Sequence, residues 1–314
     1  MEYQSAISKR GKRIVVDAVK VNNLELIITG KLLRRARIKE EWDADIDEPE
    51  KLIRELKSRR VRADLFTFVQ RLPHLTPQFD YRMDLENVAA IPISTYEQWW
   101  TKQVNHRVRT KVRKSVKRGV VVRIVEFDDE LVRGIREIYN ETPIRQGKPF
   151  WHYGKSFDEI KAANSTYLDR ADFIGAYLGN ELIGFIKLVY ADNFARFMQI
   201  IVKNAHRDKA PMNALLAKSV EICADKGIPY LTYDKLIYGS KGIDTLAEFK
   251  LNNGFLGYDL PRYYIPLSAK GNIILKLNLH KSLKAILPRR VARAALALRK
   301  KYYEKRTGSK QELE

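Results

Sequence analysis

The order of secondary-structure elements between Ala171 and Gly257 constrains the fold of this chain more than any other feature. The stretch opens with two alternating apolar runs separated by Gly179-Asn180, a dipeptide typical of a tight hairpin turn. A third strand, an amphipathic helix within residues 206–227, a short strand, a short helix and a last strand follow. This order places a helix N-terminus directly after a central strand, where its free N–H groups suit a phosphate or another anion.

The composition indicates a folded chain long enough for two compact domains. Its 314 residues are 45% hydrophobic and 10% aromatic, which excludes an intrinsically disordered protein. The single cysteine, Cys223, excludes an internal disulfide and is expected to be a buried thiol on its helix. The histidines show no metal-ligand spacing, so no metal site is predicted. Without a signal peptide or an apolar run of roughly 18 residues, the expected location is cytoplasmic.

The net charge of +20 is concentrated in two segments. Residues 101–118 contain eight Lys or Arg and no acid, and residues 270–306 contain twelve Lys or Arg and one acid. Such segments suit anionic partners such as RNA, nucleotides or phospholipid. The first segment has three interpretations: it lines a cleft for an anionic donor or nucleotide-linked acceptor, it lies on RNA, or it is a solvated helix. Solvated helices normally mix charges of both signs, which argues against the third.

The second segment, residues 270–306, combines basic residues with apolar residues at helical spacing. This pattern suits a helix lying on anionic lipid, which would make the protein peripheral to the inner face of the membrane. It equally suits a helix that packs against the rest of the protein and leaves its cations in water. The sequence leaves both alternatives open.

The first half of the chain repeats the element order of the second half. Strands, a helix and a strand follow one another near residues 24–72 and again near residues 172–235. The first helix is predicted to begin at Asp47 as N-cap, with Pro49 in its first turn. A long helix is predicted from Ser94, which forms a capping box with Glu97, to residue 118. Its apolar stripe consists of four valines, four residues apart: Val104, Val108, Val112 and Val116.

One loop concentrates aromatic and basic side chains. Arg145, Lys148, Trp151, His152 and Tyr153 lie within nine residues that also contain glycine. Loops that mix aromatic rings with cations often bind substrates. The alternative is that the rings fill the junction between two domains while the cations are exposed.

Three stretches resemble the FemAB-type aminoacyltransferases, which have the acyltransferase fold called GNAT. They are the basic helix and "Gly-Val" strand start at residues 107–120, the helix start at 210–216, and the segment 248–255, similar to an "FK-x-x-F/Y-G" signature. The similarity covers roughly residues 24–268. It implies an α/β fold of mixed, paired sheets with two tandem GNAT-like domains, at residues 1–125 and 126–268. A basic helical tail would occupy residues 269–314.

The resemblance also implies a mechanism. In this fold two neighbouring strands splay apart, a donor acyl group enters the gap, a backbone N–H polarises its carbonyl and an amine attacks. No covalent enzyme intermediate and no tightly bound cofactor are needed. Acyl-CoA or aminoacyl-tRNA would be the co-substrate, and the acceptor would be an amine, such as that of a cell-envelope precursor. The activity implied is therefore that of an N-acyltransferase or aminoacyltransferase.

The resemblance assigns residues to three roles. Asp234 would be a base or orient the amine, and Tyr233 would donate a proton; alternatively Asp234 caps a turn and Tyr233 packs in the core. The donor side would comprise Val202, Lys203, Arg207, Lys209, Ala210, Met212 and Asn213. The residues predicted to bind substrate are Arg109, Arg113, Arg145, Lys148, Trp151, His152, Tyr153 and Lys250.

The sequence departs from single-domain acetyltransferases at the coenzyme A loop, Arg/Gln-x-x-Gly-x-Gly/Ala. Here Arg207, Ala210 and Met212 stand at the motif positions, and Pro211 removes a backbone donor. FemAB-type enzymes lack the same loop and use charged tRNA, so the departure is compatible with them. Both donors stay open. The competing interpretation is a non-catalytic tandem-GNAT module that binds RNA or an anionic membrane surface.

Overall fold

The computed structural model describes residues 2–9, 12–145, 147–238 and 244–281, which contain fourteen strands. They are β1 (Glu2–Lys9), β2 (Lys12–Val21), β3 (Leu24–Thr29), β4 (Arg35–Ile38), β5 (Leu65–Val69), β6 (Arg82–Pro92), β7 (Val120–Val125), β8 (Ile144–Arg145), β9 (Lys148–Pro149), β10 (Ala171–Leu178), β11 (Glu181–Tyr190), β12 (Ala195–Val202), β13 (Tyr230–Thr232) and β14 (Leu256–Pro266). Twelve of them form one mixed sheet in the order β1-β2-β3-β4-β5-β14-β6-β13-β12-β11-β10-β7, and β8 pairs with β9.

The same residues form eight α-helices around this sheet. They are α1 (Pro49–Ser58), α2 (Tyr96–Gln98), α3 (His106–Lys117), α4 (Asp129–Asn140), α5 (Phe157–Asn164), α6 (Pro211–Asp225), α7 (Thr245–Asn252) and α8 (Ala269–Lys276). In the second half of the sheet, one apolar core lies beneath α3 and α6, and another lies beneath α4 and α5. Within the described ranges no helix has the apolar length that crossing a membrane requires.

The two halves share the sheet by exchanging strands at its centre. Strand β6 follows the first half in the chain but pairs with β13 of the second half. Strand β14 comes last in the chain but pairs with β5 of the first half, and β6 and β14 pair with each other. Where the sequence predicted paired sheets, the halves therefore form one continuous sheet. The domain boundaries at residues 125 and 268 stay a prediction.

Each half of the sheet opens where two strands run parallel. Strands β12 and β13 pair only through Ala195↔Leu231 and Arg196↔Thr232, and no strand of the described ranges pairs with the rest of β12 on that side. Strands β4 and β5 pair only at their first residues in the same way. A bulge at Met198 interrupts the pairing of β12 with β11 and bends β12 at this point. The gap between β12 and β13 is the split that the resemblance implied.

The predicted helix from Ser94 to residue 118 is wrong in its cap and its continuity. Thr95, not Ser94, is the N-cap of α2, since its Oγ1 accepts a hydrogen bond from the N–H of Gln98 at 3.1 Å. The chain then forms a π-helical turn, Trp99–Gln103, and becomes extended at Val104. A new cap at Asn105, which accepts from the N–H of Arg107 at 2.9 Å, starts α3.

Tertiary contacts produce this interruption. The Trp99 side chain is buried and its Nε1 donates to the carbonyl of Asn253 at 3.0 Å, while Val104 also enters the core. The valine stripe consequently splits: Val104 and Val108 are buried, whereas Val116 is exposed. Two further local differences are α1, whose N-cap is Glu48 instead of Asp47, and strands β1 and β2, which the sequence analysis did not predict. Cys223 is buried, as predicted, and burial raises the pKa of its thiol to about 12.

Candidate active site

The gap between β12 and β13 has main-chain groups of β12 on one wall. The N–H of Lys203 donates to the carbonyl of Ile183 in β11 at 2.8 Å. Because alternate residues of a strand face alternate neighbours, Ile200 and Val202 turn their main-chain groups toward the gap. The carbonyl of Val202 accepts from the Arg145 guanidinium at 3.0 Å. The N–H of Ile200 is therefore placed to donate to a carbonyl oxygen inside the gap.

Aromatic rings close the narrow end of the gap. The rings of Phe197 and Tyr233 meet nearly perpendicularly across it, with centroids 5.5 Å apart, and Phe255 lies behind Tyr233. Burial and the neighbouring Asp234 raise the pKa of Tyr233 to about 12. Its phenol is therefore protonated at neutral pH. Tyr233 packs in the core, which the sequence analysis gave as the alternative to a catalytic role. It also retains a proton that it could donate.

Asp234 follows Tyr233 in a left-handed backbone conformation, with φ of 51°. Aspartate tolerates this conformation better than most residues. Its carbonyl accepts from the N–H of Ala89 in β6 at 2.8 Å, and its carboxylate accepts from the hydroxyl of Tyr238 at 3.0 Å. These contacts hold an exposed carboxylate at the end of β13. The structure thus places the Tyr233 ring at the gap, whereas the Asp234 carboxylate lines a different cleft.

Lys250 is completely buried beneath the segment that follows β13. Its Nζ donates to the carbonyls of Tyr233 at 2.5 Å and Lys235 at 2.6 Å and lies 4.3 Å from the centroid of the Tyr233 ring. Burial lowers the pKa of Lys250 to about 8, although Asp234 and Asp244 oppose the shift. Lys250 therefore supports the backbone of the two predicted catalytic residues, and a substrate does not reach it in this structure.

A cleft of about 260 Å³ lies at the open end of the gap, where α6 begins. Five of the seven predicted donor-side residues line it: Val202, Arg207, Ala210, Met212 and Asn213. The other two predicted donor residues are engaged by acids. Lys203 forms ion pairs with Glu137 at 3.3 Å and Glu181 at 2.7 Å, and Lys209 contacts Asp208 at 3.4 Å.

The first turn of α6 presents few backbone donors to this cleft. Ala210 adopts a left-handed conformation with φ of 55° and ψ of 41°, so the chain makes here the turn that glycine would make most easily. Pro211 has no N–H, and the N–H groups of Asn213 and Ala214 both bond to the carbonyl of Ala210. Within the described part of the chain, the N–H of Met212 has no backbone acceptor.

Two lysines that the sequence analysis did not select complete the cleft. Lys111 and Lys114 of α3 line it, whereas the predicted Arg109 and Arg113 do not. Arg109 instead donates to the carbonyls of Trp100 at 3.0 Å and Val104 at 2.9 Å, at the end of the π-helical turn. Arg113 is exposed and lies 5.8 Å from the Trp100 ring. Lys111 and Lys114 belong to the basic segment that the sequence analysis identified, but the break before α3 changes which residues of that segment face the cleft.

The aromatic loop lies beside the gap on the α4 side of the sheet. Arg145 connects it to the carbonyl of Val202 and pairs with Glu141 at 2.9 Å. His152 is buried against Tyr139, with ring centroids 4.1 Å apart, and burial with nearby cations lowers its pKa to about 3. The imidazole is therefore neutral at physiological pH. Lys148, Trp151 and Tyr153 are exposed.

A second cleft, of about 310 Å³, lies between the two halves of the molecule. Thr232 and Asp234 line it, whereas Leu231 and Tyr233 pack in the core with α6, as expected for alternating residues of a strand. Six Lys or Arg and three acids line the cleft: Arg37, Lys39, Arg71, Arg196, Lys235 and Arg262, with Glu41, Glu86 and Asp234. No local sequence signal could find it, because its walls come from strands distant in sequence.

The charges of this central cleft are only partly paired. Arg262 pairs with Glu41 at 2.8 Å and with Glu86, and Lys235 also pairs with Glu86 at 2.8 Å. Within the residues that the structure describes, Arg37 and Arg196 have no ion pair. The Arg196 guanidinium lies 5.6 Å from the ring of Trp42. An anion that enters the cleft would therefore meet cations that the protein does not neutralise.

Comparison with known proteins identifies the architecture. No family model matches the sequence, and no curated protein matches it. Among solved structures, the DUF2156 C-terminal domain of a protein described as a lysylphosphatidylglycerol synthetase from Agrobacterium fabrum is 13% identical, with a TM-score of 0.54 over 83% of this chain and 87% of that one. FemX is 12% identical, with a TM-score of 0.51 over 88% and 90%. L-PGS from Bacillus licheniformis is 13% identical, with a TM-score of 0.52 over 81% and 85%.

These similarities cover most of each chain, so they concern both halves together. The protein therefore has the FemAB-like tandem GNAT fold, and the predicted fold class is confirmed for the residues that the structure describes. Of the predicted basic helical tail at residues 269–314, residues 282–314 lie outside the described residues. At such low sequence identity the comparison defines the fold alone.

Proposed function

We propose that this protein is a transferase that moves an acyl or aminoacyl group from an anionic donor to the amine of an acceptor. The observation that carries the proposal is the gap between β12 and β13. A basic cleft reaches its open end at α6, and the Asp234 carboxylate lies at the end of β13 in a separate central cleft. This arrangement supports two substrates that approach one reaction centre by different routes.

The proposed reaction is a direct transfer. The donor carbonyl lies in the gap and accepts a hydrogen bond from the N–H of Ile200, which stabilises negative charge on its oxygen. Asp234 takes a proton from the incoming ammonium, and the amine nitrogen forms a bond to the carbonyl carbon. The bond from that carbon to the leaving oxygen or sulfur then breaks. Tyr233, protonated at neutral pH, supplies the proton to the leaving group, and its phenolate takes the second proton that the nitrogen loses as the amide forms.

Aminoacyl-tRNA is the donor that the cleft supports better. The first turn of α6 offers the N–H of Met212 but none from Pro211, whereas a pyrophosphate needs several converging N–H groups. Lys111 and Lys114 extend the cationic surface along α3, which suits a long phosphate backbone. The solved structures of similar fold include FemX, L-PGS from Bacillus licheniformis and a domain of a protein described as a lysylphosphatidylglycerol synthetase. With charged tRNA as donor, the reaction would take place in the cytoplasm.

The central cleft indicates an acceptor that carries an anionic group near its amine. Arg37 and Arg196 have no carboxylate partner in the described residues, whereas the other four basic side chains of the cleft pair with acids. A phosphate or carboxylate of a cell-envelope precursor would supply the missing charge.

The test supplies donor and acceptor separately. The protein is incubated with a tRNA pool charged with labelled amino acids, or with labelled acetyl-CoA, and with lipid or nucleotide-linked envelope-precursor fractions as acceptors. Acceptor-dependent transfer of label from tRNA is expected. Asp234→Asn should reduce the rate by about 100-fold or more, since it removes the proton acceptor. The exposed Asp225→Asn, at the far end of α6, serves as the matched control.

Three outcomes would count against the proposal. Transfer from neither donor, with salt-sensitive retention of tRNA, would favour a binding module instead. Full activity of Asp234→Asn would remove the assigned base. Thiol release from acetyl-CoA without transfer from tRNA would reverse the assignment of the donor. For the donor cleft, Lys111→Gln with Lys114→Gln should raise the KM for charged tRNA, whereas Lys117→Gln on the same helix should change it little.

A further inference from the structure

Exposed apolar side chains lie on one flank of α8 and on the turn between β3 and β4. Leu32, Ile273 and Leu277 have 88%, 57% and 62% of their surface exposed, and these three residues form the apolar ridge. We propose that this apolar ridge, together with the basic cleft beside it, docks on an anionic phospholipid surface. This inference does not rest on the proposed transferase function.

Contacts between the turn and the helix bring the ridge residues to one side of the fold. Lys270 donates from Nζ to the carbonyl of Leu32 at 2.5 Å, and the N–H of Leu277 donates to the carbonyl of Ile273 at 3.0 Å. At 100° per residue, Ile273 and Leu277 lie within about 60° of Lys270 around the helix axis. The flank of α8 that carries these residues is therefore the flank that touches the Leu32 turn.

The ridge cannot turn inward, because the neighbouring flank of α8 is fixed in the fold. Ile274 and Leu275 pack against Leu65. A Cβ at Gly271 would lie 2.0 Å from the carbonyl oxygen of Asp64, so the helix backbone touches the start of β5. Because Gly271, Ile274 and Leu275 are buried, Ile273 and Leu277 lie on the exposed side of the helix.

A basic cleft of about 450 Å³ opens beside this helix. Lys57, Arg60 and Arg62 line it, all three are exposed, and none has an ion pair among the described residues. The one acid in its lining, Asp64, is already bound by the N–H of Arg34 at 2.9 Å, the hydroxyl of Ser268 at 3.1 Å and Lys270 at 3.2 Å. These contacts hold the pKa of Asp64 below its usual value, although burial opposes the shift. The cleft therefore presents uncompensated positive charge.

The combination of ridge and cleft matches a phospholipid surface better than a nucleic acid. Large aliphatic side chains gain by entering the acyl boundary, while adjacent Lys and Arg attract anionic headgroups. A phosphate backbone would use the cations but would leave the apolar ridge in water. The sequence that follows α8 also has a net positive charge, because residues 282–306 contain nine Lys or Arg and one acid.

The experiment measures co-sedimentation of the full chain with vesicles. Vesicles of phosphatidylcholine alone are compared with vesicles that also contain phosphatidylglycerol. The ridge variant carries Leu32→Ser, Ile273→Ser and Leu277→Ser, and the cleft variant carries Lys57→Gln, Arg60→Gln and Arg62→Gln. Each set should weaken partitioning onto the anionic vesicles by about tenfold or more. The control variant, Val121→Ser with Ile124→Ser, removes exposed apolar side chains from β7 at the opposite edge of the sheet and should bind as the wild type does.

Other occupants predict different results. If residues 282–314 cover the ridge, the ridge variant will lower the melting temperature and leave vesicle binding unchanged, which overturns the proposal. If the cleft variant loses tRNA retention but keeps vesicle binding, the cleft binds nucleic acid and the proposal is also overturned. Circular dichroism confirms that each variant is folded. Transfer to a water-soluble acceptor, measured in parallel, separates a failure of docking from a failure of the proposed catalysis.

Discussion

At the residue scale, Ala210 has the backbone conformation of a glycine without being one. Its φ of 55° places it in the left-handed region, which costs an L-residue roughly 1–2 kcal/mol. Ala210→Gly removes this cost, while the greater freedom of glycine in the unfolded chain takes back roughly half of the gain. We expect the variant to be more stable by about 0.5–1 kcal/mol in urea unfolding.

The control for this substitution lies in the same helix. Ala214 is buried in the right-handed interior of α6, so Ala214→Gly should lower the free energy of unfolding by about 1 kcal/mol. If Ala210→Gly were destabilising to the same extent, the left-handed turn at the start of α6 would not exist in solution.

Lys250 makes the free energy of unfolding depend on pH. Its pKa is about 8 in the folded state, against an ordinary value of 10.5, so the unfolded chain binds one more proton between these pH values. Stability therefore rises with pH through this window, and below pH 8 the full cost of a buried ammonium is present. Relative to Lys250→Met, the wild type should gain up to about 3 kcal/mol between pH 8 and 10.5.

The measurement is chemical denaturation of both proteins at several pH values. Taking the difference between them cancels the titration of the other groups. A difference that stays constant from pH 7 to 10.5 would mean that Lys250 has its ordinary pKa and is reached by water.

At the element scale, the break before α3 decides which cations face the cleft at the start of α6. Arg109 holds this break, because it donates to the carbonyls of Trp100 and Val104. Arg109→Met should lower the free energy of unfolding by about 2 kcal/mol, since it removes two charge-assisted hydrogen bonds. Arg113→Met, at an exposed position on the same helix, should change it by less than about 1 kcal/mol. Thermal and urea unfolding measure both.

The same pair of variants tests the substrate-binding role that the sequence predicted for both arginines. A role of Arg109 in binding alone would appear as a raised KM at unchanged stability. The contacts in the structure predict instead that Arg109→Met lowers the free energy of unfolding and, as a consequence, shifts the positions of Lys111 and Lys114.

Local patterns predicted the elements better than the positions of their side chains. The hairpin at Gly179-Asn180 formed as its residue types require. The valine stripe did not extend into one helix, because burial of Trp99 and Val104 outweighed continuous hydrogen bonding. This break shifts the helical phase, so spacing from Ser94 could not identify Lys111 and Lys114.

At the scale of the whole molecule, the central cleft and the strand exchange were beyond local prediction. The alternation of β6 predicts a strand but does not specify that its neighbours are β13 and β14. The helix-strand junction at α6 was predictable because adjacent elements build it. The cleft that contains Asp234, Arg37 and Arg196 was not, because its walls come from both halves of the chain.

Strand exchange makes each half depend on the other for folding. A fragment of residues 1–118 would hold β6 without β13 or β14, and β5 without β14. A fragment of residues 119–314 would leave β14 unpaired, and β13 would keep only its two-residue contact with β12. We therefore expect neither fragment to fold alone, whereas the two expressed together should form a stable one-to-one complex. The intact chain should unfold in a single transition by calorimetry and circular dichroism. Cooperative unfolding of either isolated fragment would contradict the expected dependence of the halves on each other, because it would mean that one half forms a complete sheet alone.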